Sequence, residues 1–300
     1  MHNSRTYFSL LLSVIFIFAA SCGNQKPPNS HPLVVTSIAP LGDWIAEIGG
    51  DAFDVEILLP RQANAHTFEL RPRQLLRVSD AAAVVFMGAG LEYWAVKVLD
   101  NTSDSARVLI LSRGRELMQD THDHGEDGHA HAEGNPHLWL DPVFAIDAAE
   151  QILELLISIS PQHATALRRR ASAWTDSLRA LDEEIRLARS GWTQRSFIGD
   201  HSSWVYFAAR YDLEQSGVVE AVPGREISAQ SMGALIERMR ASGVRAIFAD
   251  VRKNPHAMEV LAEATGAGIA WLDPIGSEGS ALRYLDLMRY NMREMTRVMR

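Results

Sequence analysis

The chain holds one cysteine, Cys22, in 300 residues. No disulfide can form within it, so its stability must come from core packing rather than covalent staples. A phosphate-binding fingerprint is missing too: the glycines of "DGHAHAEG" are followed by no strand-to-helix signature. There is no His-Glu-x-x-His helix, and "GDHSS" lacks the pattern of a nucleophile elbow. Positive charge is in short supply, with 29 Lys and Arg against 37 Asp and Glu and a net charge of −8. That balance argues against nucleic acid as a partner and is compatible with capturing cations. The longest apolar run, within "YFSLLLSVIFIFAASC", has about thirteen residues, too few to cross a bilayer comfortably.

What that run does resemble is a secretory signal peptide over residues 1–21, with Arg5 before the apolar stretch and small residues at its end. Cys22 falls where cleavage is expected. Ala19-Ala20-Ser21-Cys22 resembles a bacterial lipobox, although Ala replaces the usual Leu three places before the cysteine. Lipidation at Cys22 would anchor an exported chain to a membrane, and residues 22–32, polar and containing Pro27 and Pro28, would be the tether.

From residue 33 strands and helices alternate. "LVVTS", "DVEILLP", "AAAVVFMG" and "ARVLILS" read as strands separated by helical segments, and the pattern resumes with "RSFIGD", "LEQSGVV", "VRAIFAD" and "AGIAWLD". An α/β fold is expected, with two lobes, each a mostly parallel sheet flanked by helices. Asp141 and Pro142 suit the N-cap and first residue of a helix running to about residue 160. Between the two sets, Leu167, Ala171, Trp174, Leu178, Leu181, Ile185 and Ala188 recur at alternating four- and three-residue steps. A helix over 161–190 would be about 45 Å long at 1.5 Å per residue. The stripe could also serve a coiled-coil dimer, but the sheets on either side favour a connecting helix. The expected divisions are an N-terminal lobe over 33–160, a linker helix over 161–190 and a C-terminal lobe over 191–300. Residues 112–135 form a histidine-rich loop.

Of the 11 histidines, His122, His124, His129 and His131 sit in that loop among Gly, Asp and Glu, with nothing apolar to hold them. His31, His163 and His256 read as surface residues. His66 ("ANAHTFELRP"), His137 ("NPHLWLDP") and His201 ("GDHSSWVYF") differ, because each adjoins an apolar segment at a junction between elements. Ligands in open α/β sheets bind beyond the carboxyl ends of the strands. Asp273 ("AWLDPIG") ends a strand as well, and Asp250 ("AIFADVRKNP") competes with it by the same criterion. The nearly equal separations of His66 from His201 and of His137 from Asp273 hint at two similar lobes, each giving two ligands to a shared cleft. Three imidazoles and one carboxylate suit a tetrahedral divalent ion, with Zn²⁺ the natural choice. Binding should weaken below about pH 6 as imidazoles protonate. Glu69, three residues after His66, is a candidate to orient that ring.

"ANAHTFELRP", "NPHLWLDP", "GDHSSWVYFAARYDL" and "AWLDPIG", in this order, resemble the metal-specific solute-binding proteins of bacterial ABC transporters, the zinc/manganese cluster. The histidine-rich stretch before "NPHLWLDP" looks like the zinc-uptake branch. The resemblance implies that His66, His137 and His201 are metal ligands, and it favours Asp273 over Asp250 for the carboxylate. Ala65 departs from it, since a Pro commonly precedes the first histidine. The expected function is high-affinity capture of Zn²⁺ between the lobes and delivery to a membrane permease, by a monomer outside the cytoplasm. A Mn²⁺- or Fe²⁺-binding homologue, an exported zinc hydrolase and an adhesive lipoprotein are the rival readings. The rigid linker helix implies limited closure on binding.

Overall fold

Eight short strands build two parallel sheets, and a computed structural model describes them within residues 31–65, 68–94, 108–119, 134–220, 226–277 and 283–300. The leader, Cys22 and the rest of the tether up to residue 30 lie outside the described residues, as do His66 and the four histidines of the loop.

In the first sheet β1 (Leu33–Thr36), β2 (Asp54–Ile57), β3 (Ala83–Phe86) and β4 (Val108–Ile110) take the order β2-β1-β3-β4. In the second, β5 (Ser196–Gly199), β6 (Glu214–Val218), β7 (Ala246–Asp250) and β8 (Gly268–Leu272) take the order β6-β5-β7-β8. All pairings are parallel. The repeated order puts a topological switch point at the carboxyl ends of β1 and β3 in one sheet and of β5 and β7 in the other. Both faces of the central strands are covered, so β1, β3 and β7 are buried at every position. This is why "LVVT", "AVVF" and "AIFAD" are apolar runs rather than alternating ones.

Helices α1 (Ala39–Gly49) and α2 (Pro72–Asp80) follow β1 and β2. Then α3 (Pro142–Ile159) starts where expected, with the Asp141 carboxylate accepting from Val143 N at 2.9 Å. The linker opens with a 3₁₀ turn at Pro161–His163 and continues as α4 (Ala164–Ser190), 27 residues long. Its expected stripe is buried from Leu167 to Ile185, inside the chain's own core rather than turned toward a second coil. One refinement concerns the end of the stripe: Arg189 is buried and Ala188 is only partly so. The Arg189 guanidinium tolerates this because it donates to the carbonyls of Tyr211 and Asp212, both at 2.7 Å.

The second lobe carries α5 (Val205–Arg210), α6 (Ala229–Ser242), α7 (His256–Thr265) and α8 (Tyr284–Met299). Helix α5 is shorter than "SSWVYFAARY" suggested, since Ser202–Trp204 form a 3₁₀ turn instead. The last helix returns to the first lobe. Tyr284 N donates to the Asp43 carboxylate and Tyr284 Oη to the Trp139 carbonyl, each at 2.7 Å, and its ring meets Trp44 edge-on at 5.2 Å. One continuous apolar core therefore contains Val34 and Val85 of the first sheet, Phe197 and Phe248 of the second, and the stripe of α4.

Candidate metal centre

His137 follows Pro136 and precedes the 3₁₀ turn Leu138–Leu140, whose three side chains are buried. That packing fixes its backbone, and Asn135 fixes its ring. Asn135 Nδ2 donates to the Ser202 carbonyl at 2.7 Å, which turns Oδ1 toward His137. Oδ1 then accepts from both His137 N and His137 Nδ1, each at 3.0 Å. An amide oxygen only accepts, so the proton sits on Nδ1 and Nε2 is the nitrogen presented for coordination.

His201 repeats the device with a carboxylate. It follows β5, and its N and Nδ1 donate to Asp200 Oδ1 at 2.8 and 2.9 Å. Burial opposes the Asp200 charge, but the neighbouring imidazole and the Lys253 ammonium, 3.2 Å from Oδ2, hold the carboxyl below the ordinary range. A carboxylate behind an imidazole sets the tautomer and strengthens the ring as a donor. The two rings lie 5.2 Å apart between centroids, edge toward face at 68°. They belong to different lobes and reach one cleft of about 130 Å³.

Asn64 and Ala65 line the same cleft, so the segment leading directly into His66 borders it. Two bridges hold that segment to the second lobe: Arg61 Nη1 donates to the Gly276 carbonyl at 3.0 Å, and Arg252 Nη1 to Ala63 O at 3.3 Å. With His66 outside the described residues, no group of three potential metal ligands converges among the described ones.

Asp273 lies just beyond β8, buried, and its carboxylate organises the next turn. Oδ1 accepts from Ile275 N at 3.2 Å and Gly276 N at 2.8 Å, while Oδ2 accepts from Ser277 N at 2.7 Å and Ser277 Oγ at 2.8 Å. Asp250 lines the cleft at the end of β7 and is held by Arg252, whose N and Nε both donate to its Oδ1 at 2.9 Å. Trp139 packs against His137, 5.0 Å between ring centroids, and its Nε1 donates to the Pro274 carbonyl at 2.7 Å. The turns carrying His137 and Asp273 are therefore tied together.

Glu69, expected to orient His66, is exposed. His31, His163 and His256 are exposed, as expected of surface residues. Asn135 and Asp200 escaped the sequence reading although each adjoins or nearly adjoins a candidate ligand in "NPH" and "GDH". Arg252 and Lys253 gave no such signal, because only the fold brings the end of β7 beside His201.

This fold of two parallel sheets has matches among known proteins. The family described as ZnuA, "Zinc-uptake complex component A periplasmic", matches residues 34–298. The chain belongs to this family. Among curated relatives, the zinc-binding lipoprotein AdcA of Streptococcus pneumoniae serotype 4 is 28% identical over 299 residues, covering 95% of this chain and 59% of AdcA. The chain thus spans about three-fifths of the length of that relative. A crystal structure of ZnuA superposes with a TM-score of 0.78 at 27% identity, over 90% of this chain and 100% of the other. The laminin-binding protein Lmb of Streptococcus agalactiae, described as having adhesin and metal-transporting activity, superposes at 0.77 with 26% identity, covering 90% of this chain and all of Lmb. The ZnuA fold accounts for both sheets and for the long helix between them.

Proposed function

We propose that this chain captures Zn²⁺ in the cleft between its lobes and passes it to the membrane permease of an ABC uptake system. One observation carries the reading: His137 and His201 come from different lobes, each has its Nδ1 held by an oxygen, and their rings stand 5.2 Å apart. Imidazoles prepared in that tautomer suit zinc. His66 supplies the third nitrogen, and the position of Asn64 and Ala65 on the cleft wall supports this. Asp273 was the carboxylate that the family resemblance favoured over Asp250. With four hydrogen bonds from residues 275–277 on its two oxygens, it serves better as the builder of the turn behind the ion, and water completes the tetrahedron.

The histidines of residues 121–133 are accessory in this reading and gather zinc weakly outside the cleft. The protein acts as a monomer and carrier, not as a hydrolase, and works outside the cytoplasm, with Cys22 as the point of lipid attachment. Relationship to ZnuA and to zinc-binding AdcA supports the zinc and permease assignments.

Competition calorimetry on the demetallated protein tests it. One tight Zn²⁺ site is expected, lost in His137→Ala and retained when residues 121–133 are deleted. A deletion that destroyed the tight site would sink this division of the histidines.

A further inference from the structure

Every strand of the second sheet delivers one carboxylate to the end of the sheet that borders the cleft. Asp200 follows β5, Glu220 lies just past β6, Asp250 ends β7 and Asp273 follows β8. Four acids at that end of the sheet, with Asp250 on the cleft wall, look at first like an oxygen-rich site. The structure engages all of them.

Lys253 Nζ lies 3.2 Å from Asp200 Oδ2 and also pairs with Glu220 Oε2. Arg252 grips Asp250 through N, Nε and Nη2. The turn 275–277 takes both oxygens of Asp273. Two consecutive cations thus hold three of the four acids, and both cations line the cleft beside His137 and His201. These pairs are largely sheltered, with side-chain exposures of 14% for Arg252, 26% for Lys253 and 2% for Asp200 and Asp250. Drawing a carboxylate out of such a pair leaves a sheltered cation uncompensated, which is strongly unfavourable.

We infer that Arg252 and Lys253 determine specificity by withholding the carboxylates of Glu220 and Asp250 from the bound ion, so that the cleft offers nitrogen and rejects oxygen-seeking cations. This rests on the zinc-capture reading above and names what keeps that site selective. Manganese and other hard divalent ions need more ligands, mostly oxygens, whereas zinc is content with imidazoles and a low coordination number. An ammonium beside the cleft also repels any divalent ion, but it repels Zn²⁺ and Mn²⁺ alike. The ratio of the two affinities therefore isolates the ligand effect from the general one.

The experiment measures Zn²⁺ and Mn²⁺ affinities by chelator competition for the wild type, Lys253→Met, Arg252→Met and the double variant Glu220→Gln/Lys253→Met. Lys253→Met should gain Mn²⁺ affinity disproportionately, narrowing the zinc-to-manganese ratio by about tenfold or more, with Glu220 released from the ammonium and able to ligate. Arg252→Met should narrow it in the same direction through Asp250, and keeps the idea testable if Lys253→Met fails to fold. The double variant removes the released acid and should return the ratio toward the wild-type value. An unchanged ratio, or equal gains for both ions, would overturn the inference and leave only charge repulsion. Failure of the underlying zinc reading looks different: His137→Ala would then bind Zn²⁺ as tightly as the wild type.

Discussion

Asn135 joins two loops at once: its Nδ2 donates to the Ser202 carbonyl at 2.7 Å while its Oδ1 holds the His137 ring at 3.0 Å. The same residue accepts from Tyr206 Oη through its carbonyl at 2.7 Å, and donates from its backbone N to the Met118 carbonyl at 2.8 Å. Met118 N in turn donates to Tyr206 Oη at 3.1 Å. Asn135 thus sets the tautomer of one proposed ligand and the backbone beside the other.

Replacing it by Ala should weaken zinc binding by about 10–100-fold, the usual cost of losing a group that orients a metal-bound imidazole. Calorimetric titration checks the affinity. Because the ligands themselves remain, one zinc per chain should still bind. A variant with unchanged affinity would show that the 3₁₀ turn alone holds His137.

Trp139 makes a second link, from its indole N–H to the Pro274 carbonyl, and it is almost fully buried. Trp139→Phe keeps most of the apolar contact but leaves that carbonyl without its donor. A loss of about 1–3 kcal/mol in unfolding free energy is expected, measured by denaturant melts. Zinc affinity should fall as well, because the turns of His137 and Asp273 lose their tie.

Much of the fold was legible because the signals were redundant. The buried strands of both sheets announce themselves as apolar runs, and the α4 stripe repeats long enough to define one face. His137 stood out for a physical reason: Pro136 and the buried Leu138-Trp139-Leu140 restrict it, while the loop histidines have no such neighbours. The less legible parts depend on contacts between distant segments. Nothing local shows that Lys253 meets Asp200 and Glu220, since these three residues follow three different strands. Asp273 was recognisable as a strand-end carboxylate, but its bonds to residues 275–277 belong to a turn whose geometry spacing does not reveal.

Glu92 offers a pH test away from the cleft. It is buried at the carboxyl ends of β1 and β3, where it accepts from Ser37 Oγ at 2.5 Å, Met87 N at 3.0 Å and Gly88 N at 2.9 Å. Burial raises its pKa above the ordinary glutamate value of 4.5, and these donors oppose the rise without cancelling it. The folded state therefore binds the proton more tightly than the unfolded chain. The resulting stabilisation is fully present below the unfolded pKa and is lost as pH rises through the folded one. Glu92→Gln should flatten this part of the profile. Melts of both proteins from about pH 4 upward would show it as a difference that grows with pH, in favour of the variant. A parallel pair of curves would mean that Glu92 titrates alike in the folded and unfolded states.

Because α4 packs against elements of both lobes, the two sheets should not unfold separately. Leu178 and Leu181 are fully buried in the core that also contains Val85 and Phe248. Leu178→Ala removes packing at the middle of that shared core, and a loss of about 2–5 kcal/mol is expected for a buried leucine. The informative observation is cooperativity. Fluorescence of the buried tryptophans and far-ultraviolet circular dichroism should report one coincident transition in the wild type, and one lowered transition in the variant. Two separated transitions would mean that α4 is a tether between independent lobes. A single one accords with a helix that braces the lobes and permits little closure when zinc enters.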